Sequence, residues 1–279
     1  MKKKAVLTSI AIICMMAALQ LKANNTQLTG AHKPHPTVHV ILLGDSNTWI
    51  GGDECDKPRG WNKWFKEFFQ PASCKSYARS GATWTNTKTT KKNPQENIGS
   101  LGNDNVIYNQ VIRLTDAFNE GTQPLPDIII IGAGTNDLWF RAKRPGLYTM
   151  GADQTMEIPV SDLIAKPVNQ VLSLTESIRY NCELLRQTFP HARIIILSPM
   201  QTTKVPTQDV HICGDVMQTM AEKLGIDIIR MDAPEFIDRK VEEKKFTNTY
   251  DGVHTSEAGA RNNATRLNEA VLQLLDNIE

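Results

Sequence analysis

Three side chains in this sequence could together carry out nucleophilic acyl chemistry, and they sit near opposite ends of the chain. Ser46 closes the phrase Gly44-Asp45-Ser46 after an apolar run at 38–43. Asp251 and His254 stand three positions apart in Asp251-Gly252-Val253-His254, just before a long segment of helical pattern. A serine hydroxyl is a weak nucleophile near neutral pH and needs an adjacent base. Histidine titrates in the right range to take that proton. A carboxylate on the other ring nitrogen fixes the tautomer and stabilises the imidazolium. The set is therefore a nucleophile, a base and an orienter, provided that a fold joins the two ends.

The elements between them predict such a fold. Short β-branched runs occur at 38–43, 127–131, 192–197 and 226–231, with a weaker one at 74–78. Ile128-Ile129-Ile130-Ile131 and Ile194-Ile195-Ile196-Leu197 do not alternate polar with apolar, which marks strands covered on both faces of a parallel sheet. Helical patterns fill the gaps at 61–69, 106–119, 168–189, 210–224 and 256–278; the third stops at Pro190 and the fourth at Gly225. Strand and helix alternate about five times, which reads as an open α/β sandwich. The stretches 85–105 and 138–166 break the alternation, and they are expected to be irregular loops beside the site.

Composition narrows the class. Lys2-Lys3-Lys4, an apolar run from Ala5 and the close of that run at Lys22-Ala23 read as a secretory signal peptide at 1–23. The most apolar part is shorter than the ~20 residues of a membrane span. Residues 24–36 read as a polar tether and 37–279 as one catalytic-sized domain. Without the leader the chain has 27 basic and 30 acidic residues, which offers no footprint for nucleic acid. The expected location is therefore periplasmic or extracellular, with no stable membrane span after cleavage. Four cysteines remain, Cys55, Cys74, Cys182 and Cys213; an oxidising setting permits a Cys55–Cys74 bridge, and free buried thiols are the alternative. None has metal-ligand spacing, and no metal site is expected.

Every polar candidate follows a strand end, where parallel α/β sheets build their sites. Ser46 follows the first strand, Gly81 the second, Asn136 the third (in Gly134-Thr135-Asn136-Asp137), and Asp251 and His254 the fifth. These four blocks, in this order, resemble those of the SGNH (GDSL-type) hydrolase superfamily, across nearly the whole mature chain. The resemblance implies a flavodoxin-like three-layer α/β/α sandwich with a mainly parallel five-stranded sheet. It also implies a serine esterase mechanism that needs no cofactor. Asn47, after the serine, and Thr255, after the histidine, depart from the residues common in the family.

In that reading Ser46, His254 and Asp251 form the catalytic triad. The N–H groups of Ser46 and Gly81 and the Asn136 amide form the oxyanion hole. Asp45 and Asp137 read as structural acceptors. Trp49, Trp84 and Trp139 each lie three residues beyond a block residue and are candidates, with Arg141, for contacting substrate; Arg79 and Arg144 are also near in sequence. The expected substrate is a small-molecule or polysaccharide ester, most naturally a short acyl group on carbohydrate. A lipid-directed esterase of the same family and a non-catalytic sugar-binding module are the competing readings.

Overall fold

The computed structural model describes residues 34–99 and 101–276. The signal peptide expected at 1–23 and nearly all of the tether lie outside the described residues. The tether ends earlier than the sequence predicts, because His35 and Pro36 already belong to the first strand. His35 N donates to Gln70 O at 3.1 Å, and its ring stacks on Phe69 with centroids 4.3 Å apart.

In chain order the elements are β1 (His35–Gly44), α1 (Ser46–Trp49), α2 (Trp61–Phe69), β2 (Pro71–Ser76) and α3 (Ile107–Asn119). Next come β3 (Ile128–Gly132), α4 (Thr135–Trp139), α5 (Ala152–Glu157), α6 (Val160–Ala165) and α7 (Leu174–Thr188). The chain continues with β4 (Arg193–Leu197), α8 (Thr207–Leu224), β5 (Asp227–Ile229), α9 (Arg239–Glu242) and α10 (Glu257–Asp276). The sheet order is β2-β1-β3-β4-β5, and every neighbouring pair is parallel. This is the flavodoxin-like order, with its topological switch between β1 and β3.

The pleat divides the isoleucine runs between two layers. Val40, Leu42, Ile128, Ile130 and Ile195 face one side, where Phe65 and Phe69 of α2 meet Ala264, Leu267 and Val271 of α10. Ile41, Leu43, Ile129, Ile131 and Ile196 face the other, against Val111 and Leu114 of α3, Ile178 and Leu185 of α7, and Met217 of α8. A strand buried on both faces has no polar positions to alternate, which accounts for the unbroken apolar runs.

Several boundaries differ from those expected. β2 lies at Pro71–Ser76 rather than 74–78, paired to β1 from His35 to Leu42. Helix α7 starts at Leu174 because Ser173 caps it, accepting from Glu176 N at 3.3 Å; Val168–Gln170 is only a 3₁₀ turn. The stretch 138–166 is not irregular throughout: it holds α5 and α6, and Leu163 packs with Tyr108 and Tyr180. Among the described residues, 85–105 does lack helix and strand; side chains hold it instead, including Asn109 Nδ2 donating to Lys91 O and Asp104 O.

All four described cysteines are free and buried. Cys74 Sγ nevertheless lies 3.5 Å from Cys55 Sγ, while Cys213 Sγ faces Met217 Sδ at 4.0 Å. Treatment of the folded protein with a thiol oxidant such as diamide is expected to join Cys55 to Cys74 and leave the other two as thiols. Peptide mapping without reductant reads the pairing, and recovery of all four cysteines alkylated would refute it.

Candidate active site

Ser46 is the first residue of α1, immediately beyond the carboxyl end of β1. Two contacts set that strand end. Asp45 N donates to Gly132 O at 3.0 Å, tying β1 to β3. Gln110 of α3 grips Gly44 from both sides, accepting from its N–H at 2.7 Å and donating to its carbonyl at 2.8 Å. Asp45 then caps α1, its Oδ1 accepting from Asn47 N at 3.0 Å.

The other half of the site comes from the loop before α10. Asp251 Oδ1 accepts the backbone N–H groups of Val253 (2.9 Å) and His254 (2.8 Å), and Oδ2 lies 2.6 Å from His254 Nδ1. His254 Nε2 lies 2.9 Å from Ser46 Oγ, across 208 positions of sequence. The structure thus brings Ser46, His254 and Asp251 into one hydrogen-bonded line. Partial burial pushes the Asp251 carboxyl up, but the N–H groups and the ring of His254, with Val253 N–H, outweigh it and hold the group below its ordinary range. An ionised Asp251 keeps the Nδ1 proton in place and leaves Nε2 free to accept from the serine.

The third component gathers beside it. Ala82 N donates to Arg79 O at 3.2 Å, closing a turn in which Gly81 sits at φ +80°, the left-handed position a type II turn requires. The Gly81 N–H has no acceptor among the described residues. Asn136 Nδ2 donates to Ala82 O at 3.0 Å, which fixes the amide against this turn and leaves its second N–H available. Asp137, fully buried, ties the same two segments together: its carboxylate accepts from Trp84 N (3.0 Å), Thr85 N (2.9 Å) and Thr85 Oγ1 (2.6 Å).

The tryptophans divide. Trp49 and Trp139 are 44% and 40% exposed, but Trp84 is fully buried in the core, with its indole N–H donating to Ala133 O. Trp84 therefore cannot meet a substrate; it packs behind the site. Arg141 is exposed and lies over the Tyr148 ring at 5.2 Å. Arg79 and Arg144 are buried: the first is paired with Asp53 at 2.9 Å, and the second donates to Thr83 Oγ1. Both are scaffold.

Two features escaped the sequence reading. Glu242, at the end of α9 and fully buried, accepts from Thr247 N (3.1 Å), Asn248 N (2.8 Å), Thr249 N (3.1 Å) and Thr249 Oγ1 (2.5 Å). Thr249 Oγ1 accepts in turn from Gly252 N at 3.1 Å, so this carboxylate anchors the loop that carries Asp251 and His254. Gly252 has φ +83°, and a Cβ there would lie 2.1 Å from Thr203 Oγ1, so any other residue would strain the backbone and displace the Thr203 side chain. Glu242 stands in the highly charged run Arg239-Lys240-Val241-Glu242-Glu243-Lys244, which reads as a solvated face; nothing in the sequence singles it out. Tyr250 stacks on His254 with centroids 5.7 Å apart, and only its place next to Asp251 could have pointed to it.

A second Ser/His/Asp set, with Ser198 and Asp232 beyond the ends of β4 and β5 and His211 on α8, is wired differently. Ser198 Oγ donates to Asp232 at 3.0 Å rather than to His211, which lies 2.7 Å from the other carboxylate oxygen. Burial raises the Asp232 carboxyl, but Arg230, His211 and Ser198 outweigh it and bring the group down to about 2. A hydroxyl bonded to a fixed anion, with no base on it, is not an activated nucleophile.

The sequence model of the GDSL-like Lipase/Acylhydrolase family matches residues 42–261. No curated protein matches the chain. Among solved structures, a Lactobacillus plantarum protein is similar with a TM-score of 0.54 at 13% identity, over 85% of this chain and 97% of that one. An active-site mutant of a family two carbohydrate esterase from Clostridium thermocellum gives 0.53 at 14%, over 88% of this chain and 65% of that one. A Chitinophaga pinensis protein named a possible lipase gives 0.51 at 16%, over 85% and 98%. At these identities the likeness is one of fold.

Two measurements follow from the buried carboxylates. Burial lifts Asp45 to about 7, against the lowering effect of Asn47 N–H and His254. A carboxyl raised on folding contributes stability below its unfolded value, ~4, and loses that contribution as pH climbs through its folded value. Asp45→Asn keeps the oxygen that caps α1 and does not titrate. Its melting temperature relative to wild type is expected to rise steadily between about pH 4 and 7; a pH-independent difference would contradict the assignment. Glu242→Ala strips four donors of their acceptor and is expected to cost about 2–4 kcal/mol of stability, read by urea unfolding.

Proposed function

Because the chain belongs to the GDSL-like lipase/acylhydrolase family and is therefore a hydrolase, we propose that Ser46, His254 and Asp251 are its catalytic triad. The observation that carries this is the unbroken line of hydrogen bonds from Asp251 through His254 to Ser46 Oγ. Ser46 Oγ attacks the ester carbonyl while His254 Nε2 takes its proton, and Asp251 stabilises the imidazolium. Negative charge on the carbonyl oxygen is received by the N–H groups of Ser46 and Gly81 and the free N–H of Asn136. Collapse breaks the bond to the alcohol, which leaves with the proton from His254. Water, deprotonated by His254, then attacks the acyl-serine; the carboxylic acid departs and Ser46 regains its proton.

The substrate reading is an exported enzyme that removes acetyl or other short acyl groups from carbohydrate. The leader-like residues 1–23 support export. The exposed Trp49 and Trp139, each one turn beyond a site residue, support a sugar ring as ligand. The Clostridium thermocellum carbohydrate esterase, similar in fold, is consistent with it.

With a chromogenic acetyl ester, Ser46→Ala is expected to lose turnover by at least ~10³-fold while keeping its fold by circular dichroism. Equal activity in both proteins would end the enzymatic assignment. Asn136→Ala is expected to lower kcat by ~10²–10³ with little change in KM; a variant that mainly raised KM would remove Asn136 from the oxyanion hole. Acetylated polysaccharide fragments, compared with long-chain lipid esters, decide the substrate class.

A further inference from the structure

The wall beside His254 is built as a stack. Tyr250 lies on the imidazole, with centroids 5.7 Å apart and planes 18° from parallel, and the Arg59 guanidinium lies 5.0 Å from the centre of the Tyr250 ring. Both side chains are exposed. Arg59 is held from behind: its carbonyl accepts from Thr255 Oγ1 at 2.7 Å, which pins the 51–60 loop to the residue after His254. Among the described residues its guanidinium has no ion pair or hydrogen bond, so its donors remain open. Arg59 also lines an open cleft of about 440 Å³, together with Trp49, Asp53, Glu54, Asp56 and Lys57. Trp49 is three residues beyond Ser46 on α1 and thus on the same helix face.

Reaction geometry says what this cleft would hold. His254 gives its proton to the departing alcohol, so the alcohol must leave past the imidazole edge. The oxyanion donors lie on the β2 and β3 side, in Gly81 and Asn136. The Tyr250 side is then left for the alcohol. Resting on the triad assignment above, we propose that Trp49, Arg59 and Tyr250 form the subsite for the alcohol part of the ester, and that its occupant is a neutral pyranose unit. The exposed ring of Trp49 suits the C–H face of a sugar ring, with the hydroxyl edge of Tyr250 beside the stack as a polar partner. Free donors on Arg59 and Lys57, set among acceptors on Glu54 and Asp56, suit its hydroxyls. A lipid alcohol would leave those charges unmatched, and an anionic sugar would meet three carboxylates, Asp53, Glu54 and Asp56.

The test compares an acetylated xylo-oligosaccharide with 4-nitrophenyl acetate, which share the acyl group and differ in the alcohol. Trp49→Ala and Arg59→Ala, neither of which removes a group bonded to the triad, are expected to lower kcat/KM on the sugar ester about tenfold. The ratio of sugar-ester to aryl-ester kcat/KM is expected to fall with it, mainly through KM. Parallel losses on both esters, or an unchanged ratio, would overturn the subsite while leaving the esterase reading intact. A wild-type enzyme that cleaves the aryl ester but no acetylated saccharide would overturn the carbohydrate reading and the subsite together. Melting curves of each variant separate either result from loss of fold.

Discussion

The site depends on one contact, the 2.9 Å approach of His254 Nε2 to Ser46 Oγ, because it joins hydroxyl and imidazole across 208 positions of sequence. Each partner is held by its own anchoring. The serine is fixed at the strand end by Gly132, by the two-sided grip of Gln110 and by the Asp45 cap. The histidine is fixed by Asp251 and, further out, by Glu242 through Thr249 and Gly252. A hydrogen bond tolerates only a few tenths of an ångström before it weakens. That tolerance explains why so many buried polar groups are spent on two short loops.

Buried carboxylates recur in this anchoring. Asp45, Asp137, Asp232 and Glu242 are all buried, and each accepts hydrogen bonds from backbone N–H, hydroxyl or guanidinium groups. A carboxylate can accept about four bonds, so one side chain can satisfy the exposed donors of an entire turn. Such groups replace regular structure where a loop must hold a fixed shape. They also explain why loops 79–86 and 247–254, though neither is helix or sheet beyond isolated bridges, place side chains within hydrogen-bonding distance of defined partners.

The sheet was legible in the sequence because burial on both faces writes itself as unbroken β-branched runs. Ile128–Ile131 and Ile194–Leu197 fell inside observed strands for that reason. Ser46, Asp251 and His254 were legible through residue type and place after a strand. Weaker elements were legible only in part: β2, expected at 74–78, contains Pro71 and Lys75, and its bounds are set by its pairing with β1 rather than by its pattern. Trp84 misled because spacing from Gly81 says nothing about direction, and its ring turns inward to Ala133. Glu242 was hidden because a charged residue in a charged run carries no sign of burial. Long-range partners such as Arg59 and Tyr250 become visible only when the loops are folded together.

The Asp137 carboxylate has a consequence for motion. It grips Trp84 and Thr85, while its neighbour Asn136 grips Ala82, so the turn bearing Gly81 and the start of α4 are fastened at several points. Thermal displacement of one must carry the other along. The spacing between the Gly81 N–H and the second Asn136 N–H, the proposed oxyanion donors, is therefore set by bonds between these two segments and not by the loop that carries the serine.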